Sequence, residues 1–312
     1  MLKNREKESR VTERPEDLEV APPAEKYNLI EPFDIFTGQE NDKKNVLLIL
    51  NQAIKNIDLR KLWKSSRLCI CADGGANRLY DYFTNDEERK QFIPQFIVGD
   101  CDSLRDKTEI YYQEKGTVII KQATQYSTDY MKAIDLIKLY FYSDNLRSKL
   151  YELPRDSYDG LSELVDDLSV DSQKGPKIKV HILGAVGGRF DQTIHSFNQL
   201  YRMKSSDPFL QQIFITETDF IFLLSKGINY ITYPSKSSFS NSKTPICGLL
   251  PIGTSTTRLT TFGLKYDIEN WESSMKTQVS SSNALCGTTG VVILTTDDIC
   301  FNIAVDYFQE TR

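Results

Sequence analysis

Leu68-Cys69-Ile70-Cys71-Ala72-Asp73-Gly74-Gly75 is the stretch on which the fold turns. Five residues run without a charge, and an aspartate and two glycines then end the run. An apolar run this short, closed by a turn signal, is expected as a strand buried on both faces. The pattern recurs downstream. Phe96-Ile97-Val98-Gly99 stops at Asp100-Cys101-Asp102-Ser103, and Val118-Ile119-Ile120 leads through a polar loop to Ser127-Thr128-Asp129. In an open parallel sheet the carboxyl ends of the strands share the edge where ligands bind. Four carboxylates gathered there repel one another unless a cation joins them. A divalent metal with phosphate is therefore the first expectation.

Working outward, Asn45 to Leu50 is the first strong strand, and Asn51-Gln52 follows it. Gly74 to Phe83 and Thr108 to Lys115 are expected helices. Asp129 to Tyr142 is a clearer one, with Met131, Ile134, Leu136, Ile137 and Leu139 at helical spacing and Ser127 or Thr128 as N-cap. Ile178 to Leu183 is the next strand; it enters Gly184-Ala185-Val186-Gly187-Gly188-Arg189-Phe190-Asp191 and then a helix to about Met203. Beyond Asp207-Pro208 only short strands follow, between Phe220 and Val305, separated by Gly, Pro, Ser and Asp turns. The fold class is α/β: an N-terminal parallel-sheet domain followed by a C-terminal all-β sandwich. Residues 1–27 are expected as a charged, disordered tail, 28–205 as the α/β catalytic domain and 206–312 as the sandwich. Residues 143–177, acidic and broken by Pro154, Gly160, Gly175 and Pro176, are expected as an insertion, partly helical around Leu161 to Leu168.

The bulk numbers narrow the classes. A chain of 312 residues with 40% hydrophobic and 26% charged residues has room for two domains and a core. A net charge of -5 gives no basic surplus for nucleic acid. No apolar run approaches the ~20 residues that span a bilayer, and Met1 to Lys26 has no apolar segment of the secretory kind. The 6 cysteines show no zinc-ribbon spacing, and His occurs only at His181 and His195. Reduced cysteines in a cytoplasmic protein are the expectation.

Each chemistry-bearing segment has a plainer alternative. Asp100-x-Asp102 offers hard oxygen ligands that suit Mg²⁺ with phosphate, but an isolated pair is as readily a turn held by its own side chains. Asp73-Gly74-Gly75 has the same alternative; its position after a strand, like that of the other two motifs, favours the metal. Gly184 to Gly188 bares backbone amides at a helix start, where phosphate binds, and Arg189 can add a bidentate grip; a glycine turn with a surface arginine is the plain reading. Lys132, one turn into its helix, is either a phosphate ligand or a solvated lysine. His195 reads as structural before catalytic. Ser280 to Asn283 alone says only loop, and Tyr266 and Trp271 are either an aromatic face for a flat ligand or core.

Taken in order, the strings Ala72-Asp73-Gly74-Gly75-Ala76-Asn77-Arg78-Leu79, Gly99 to Ser103, Gln125 to Asp129, Gly187 to Gln192, Cys247 to Gly253, Thr261 to Lys265 and Val279 to Asn283 closely resemble thiamin pyrophosphokinase of the eukaryotic type. The resemblance covers roughly residues 45–140 and 178–305. It implies transfer of a pyrophosphoryl group from ATP to thiamin, with Mg²⁺, giving thiamin pyrophosphate and AMP. It also implies a homodimer whose sites lie between the α/β domain of one subunit and the β domain of the other. By resemblance the acidic residues fall to Asp73, Asp100, Asp102 and Asp129; of these Asp73, Asp100 and Asp102 are the expected metal group, and Asp100 and Asp129 with Arg189 the expected catalytic residues. The nucleotide side falls to Asn77, Arg78, Gln125, Ser127, Thr128, Lys132, Arg189 and Asp191, and the thiamin side to Tyr266, Ser282 and Asn283. The chain departs from the family at Cys101, where Phe or Leu is usual, and at Tyr266, where Trp is usual.

Two other readings are open on the residues. An Asp-x-Asp phosphohydrolase or glycosyltransferase would leave the β domain unexplained. A non-catalytic nucleotide or thiamin sensor would not need so many carboxylates.

Overall fold

The structure, a computed structural model, describes residues 11–36, 44–153, 156–168, 177–240 and 244–306. The chain divides into two compact units, Gln39–Phe214 and a second formed by Met1–Gly38 together with Ile215–Arg312. Within the expected tail of residues 1–27 lies a strand, β1 (Val11–Glu13), and a second, β2 (Asn28–Ile30), opens the stretch expected as the α/β domain. β2 pairs in parallel with a strand at Gly227–Thr232. β1 and β2 thus belong with the C-terminal strands, because their ladder partners lie there.

The Gln39–Phe214 unit is built on β3 (Asn45–Ile49), β4 (Leu68–Ala72), β5 (Phe96–Gly99), β6 (Val118–Gln122), β7 (Asp156–Ser157), β8 (Ile178–Leu183) and β9 (Leu210–Ile215). Their order in the sheet is β9-β8-β3-β4-β5-β6-β7. The ladders β8–β3, β3–β4, β4–β5, β5–β6 and β6–β7 are all parallel. Every residue of β3, β4 and β5 is buried, as the unbroken apolar runs require. His181 sits inside β8 without solvent contact, and burial holds its pKa down at about 3, so it packs as a neutral ring. Helices α1 (Leu59–Lys64), α2 (Gly75–Tyr82), α3 (Asp106–Glu114), α4 (Asp129–Tyr142) and α5 (Phe190–Ser206) make the main crossovers. The expected insertion contributes helices Asp144–Leu150 and Gly160–Asp166 and the edge strand β7, with 154–155 and 169–176 outside the described residues.

The second unit holds β10 (Asp219–Leu224), β11 (Gly227–Thr232), β12 (Ile246–Leu250), β13 (Thr257–Phe262), β14 (Tyr266–Ile268), β15 (Trp271–Ser273), β16 (Ser280–Ala284), β17 (Gly290–Thr295) and β18 (Ile299–Ala304). Two arrays form: β16-β12-β18-β10, and β15-β13-β17-β11-β2. β14 pairs with β1. Ser280 to Ala284, a loop on its composition, is strand β16. Its polar side chains hide its strand character, which comes from pairing with β12 across a bulge between Cys247 and Leu249.

Candidate active site

The parallel strands end at one edge, and each delivers a piece of the site. After β4, Asp73 leaves the strand with a left-handed backbone, φ 43°. Its amide donates to Val98 O at 2.9 Å. Its buried carboxylate accepts from Ser103 N at 3.2 Å through Oδ2, while Oδ1 is enclosed without a hydrogen-bond partner. Burial, with the Asp129 charge adding to it, pushes this carboxyl up to about 6.

After β5 comes Asp100. Asp102 N donates to its Oδ1 and Gln125 Nε2 to its Oδ2, each at 3.2 Å. Burial alone raises the Asp100 carboxyl, but these hydrogen bonds and the Lys132 charge outweigh burial and leave it below its ordinary value. After β6, Thr128 caps α4 by accepting from Met131 N at 3.4 Å. Asp129 then stands in the first turn, where a carboxylate suits the helix dipole. Its Oδ1 accepts from Asp100 N at 3.0 Å and from Lys132 Nζ at 3.4 Å. Burial first, and the Asp100 charge second, raise the Asp129 carboxyl.

Asp73, Asp100 and Asp129 each offer one carboxylate oxygen, and these atoms lie within 4.8 Å of one another. Gly99 permits the convergence: a Cβ there would stand 2.8 Å from Asp73 Cβ and 2.9 Å from Asp129 Oδ1. The unpartnered Oδ1 of Asp73 and the all-oxygen donor set fit a hard divalent cation. The sequence grouped Asp102 with Asp73 and Asp100 and kept Asp129 for substrate. The geometry brings Asp129 together with Asp73 and Asp100. Asp102 is exposed, and its Oδ1 accepts from Ser103 Oγ at 2.9 Å. Between Asp100 and Asp102, Cys101 takes a left-handed backbone, φ 61°, and both aspartates line the same pocket.

The carboxylates open into a pocket of about 560 Å³. Its far wall comes from β3 and β8, the strands between which the sheet order reverses. Asn51 and Gln52 line it, together with Gly184, Ala185, Gly187, Arg189 and His195. Gln52 fills the space that Cβ atoms at Gly184 and Gly188 would need, and both glycines are left-handed, φ 79° and 64°. Asn51 and Gln52 escaped assignment from sequence, although they satisfy the same rule as the aspartates: they are the first polar residues past a buried parallel strand.

The remaining expected residues separate by what they touch. Arg78 Nε donates to Asn51 Oδ1 at 2.9 Å. Asn77 is buried, donating to Ser103 O at 2.7 Å and accepting from Arg105 N at 3.2 Å, so it joins α2 to the Asp100 turn. Lys132, 2% exposed, donates to Gln122 O at 3.0 Å as well as to Asp129. It is neither a solvated lysine nor aimed at open space. Ser127 Oγ is enclosed without a partner beside the pocket. Thr128 Oγ1 lies 3.1 Å from His195 Nε2. Arg189 is exposed, with Nε donating to Asp191 Oδ1 at 3.1 Å.

Tyr266, Ser282 and Asn283 lie in the strand-rich unit. Ser282 is exposed on β16. Asn283 is buried; its Nδ2 donates to Tyr266 O at 2.8 Å and its Oδ1 accepts from Tyr266 N at 3.0 Å.

Comparison with known proteins bears directly on this arrangement. The model of the thiamin pyrophosphokinase catalytic domain matches residues 59–211, and that of the thiamin pyrophosphokinase vitamin B1 binding domain matches 230–300. The chain belongs to the thiamin pyrophosphokinase family. It is an enzyme of that family. A thiamine pyrophosphokinase of Saccharomyces cerevisiae is 41% identical over 282 residues, 85% of this chain and 86% of that protein. The thiamin pyrophosphokinase structure from Candida albicans superposes with a TM-score of 0.86 at 43% identity, covering 95% of this chain and 98% of that one. A yeast thiamin pyrophosphokinase crystal structure gives 0.85 at 37%, covering 96% and 98%. The α/β unit with a strand-rich C-terminal unit is thus the fold of this family. Among the described residues no helix is long and apolar enough to cross a membrane.

Proposed function

We propose that the chain transfers the pyrophosphoryl group of ATP to the hydroxyethyl oxygen of thiamin, giving thiamin pyrophosphate and AMP, with Mg²⁺. The observation that carries this reading is the convergence of Asp73, Asp100 and Asp129 on one pocket in a chain of this family. These three carboxylates would hold the cation, which when bound neutralises phosphate charge. Pyrophosphoryl transfer depends mainly on positioning and electrostatics. The left-handed glycines 184, 187 and 188 let the loop backbone approach phosphate at a helix start, and Arg189 is exposed and able to turn from Asp191 to an anion. Attack by the thiamin hydroxyl on the β-phosphorus in line would release AMP. Asp100 and Asp129 are the two candidates for accepting the hydroxyl proton. Tyr266 and Ser282 are proposed on the thiamin side.

A homodimer, in which one subunit's strand-rich unit completes its partner's site, is part of the proposal, as the family resemblance implies. So is a cytoplasmic location, which the six free cysteines support. The net charge of -5 speaks against a nucleic-acid partner. The test follows products from ATP with and without thiamin. AMP and thiamin pyrophosphate should form in equal amounts, only when thiamin and Mg²⁺ are both present. Phosphate release without thiamin would point to a phosphohydrolase, and binding without turnover to a sensor; either result overturns the proposal.

A further inference from the structure

Residues 11–20 lie outside both family-model matches, yet they complete the strand-rich unit. β14, which carries Tyr266, has β1 as its ladder partner in a two-stranded sheet. Glu13 stands opposite Tyr266, Thr12 opposite Asp267 and Val11 opposite Ile268. Arg14 extends the pairing, its amide donating to Lys265 O at 2.8 Å. The Arg14 Nε donates to Asp267 Oδ2 at 2.8 Å, an ion pair in which Asp267 is 3% exposed. The same guanidinium lies 5.1 Å from the centroid of the Phe262 ring. Farther along, Leu18 N donates to Cys286 O at 2.9 Å, and Tyr230 Oη donates to Val20 O at 3.2 Å.

Asp267 organises the turn before β14. It also accepts from Thr261 Oγ1 at 2.9 Å and from the amides of Gly263 and Leu264 at 3.0 Å each. From its other side, the Tyr266 backbone is gripped at N and O by Asn283. The Tyr266 backbone is thus fixed from both flanks, while the residue keeps 41% of its surface exposed. A core aromatic has its ring covered and needs no such clamp. Here the chain immobilises the backbone and leaves the residue partly exposed, with Lys265 Nζ 5.7 Å from the ring centroid, an arrangement that can present an aromatic to a flat ligand.

We infer that Arg14 and Asn283 are positioning residues for Tyr266, the N-terminal arm latching onto Asp267 to fix the aromatic face offered to thiamin. This rests on the reading that Tyr266 meets thiamin. Loss of Arg14 leaves Asp267 with its three other donors, so the variant is expected to fold.

The experiment is steady-state kinetics on Arg14→Ala, Arg14→Lys, Tyr266→Ala and the Arg14→Ala/Tyr266→Ala double variant, each full-length and checked for a cooperative melt. Arg14→Ala should raise the thiamin KM about five-fold or more while kcat and the ATP KM move less than about two-fold. Arg14→Lys, which keeps a charged donor, should recover part of the loss. In the Tyr266→Ala background Arg14→Ala should add nothing, since an effect passed through Tyr266 vanishes with it. An unchanged thiamin KM in Tyr266→Ala would remove both the reading and the inference. A Tyr266 effect without an Arg14 effect, or an Arg14 effect that persists undiminished in the double variant or moves the ATP KM equally, would overturn the inference alone. Should Arg14→Ala lose its cooperative melt, Arg14→Gln, which keeps a donor without the charge, is judged by the same criteria.

Discussion

The carboxylate edge of the α/β unit and the Tyr266 strand of the other unit are built on opposite principles. At the carboxylate edge the fold leaves groups short of partners: Asp73 Oδ1 and Ser127 Oγ are enclosed without a hydrogen bond. The proton affinities of Asp73 and Asp129 are raised by burial and by neighbouring charge. At β14 the polar groups are matched instead, with Asp267 taking four hydrogen bonds and Asn283 holding both ends of one residue. An under-bonded cluster stores affinity for an ion, whereas a fully bonded clamp stores only geometry. Substitutions in the first should therefore act on turnover and ion response, and those in the second on affinity for one substrate.

The sharpest way to break this contrast is at Asp100. Asp100→Asn should lower turnover by ~10²-fold or more with its melting temperature little changed; AMP release near the parent rate would remove the carboxylates from the chemistry. Next comes Gly99→Ala, whose methyl group would meet Asp73 Cβ at 2.8 Å and Asp129 Oδ1 at 2.9 Å. Spreading the carboxylates should cut activity by roughly ten- to hundred-fold, and an active variant would show that their spacing is not critical. Lys132→Met should cost about 1–3 kcal/mol in denaturant unfolding, because Asp129 loses a buried cationic partner while keeping the Asp100 amide.

The smallest expected effect is on pH dependence. Asp73 is raised in the folded state from an ordinary 3.8 to about 6, so the fold prefers its proton. The stability this group confers without cation is therefore fully present below the ordinary value and falls as pH rises to about 6. A bound cation offsets that loss. Mg²⁺ should raise the melting temperature by more at about pH 8 than at about pH 5, and an equal increment at both would argue that the ion sits elsewhere.

The two regions also differ in how far the sequence exposes them. The carboxylate edge was legible because each element announces itself locally. A buried parallel strand is an unbroken apolar run, and whatever polar residue ends it lies at the shared edge. The same rule, applied to Asn45–Leu50, would have found Asn51 and Gln52. It could not show that Asp129 joins Asp73 and Asp100, since that depends on the close approach of Asp129 at Gly99. Lys132 was ambiguous for a related reason: its carbonyl partner, Gln122 O, is presented by a strand end and not by any residue type. The strand-rich unit was harder. Ser280 to Ala284 carries no strand signature of its own. Residues 11–20 read as tail because their partners are backbone groups far along the chain.

That distance has a consequence in time. Arg14 and Asp267 are separated by 253 residues, so a ribosome releases one long before it makes the other. At about 5–20 residues per second, the arm waits roughly 13 to 51 s for the strand it is to cover. The β1–β14 ladder thus cannot form until Ile268 is made, and β15 to β18 are made later still. Pulse-labelled amide exchange on nascent chains should find Val11–Glu13 unprotected until Ile268 has been made, and earlier protection there would contradict this order.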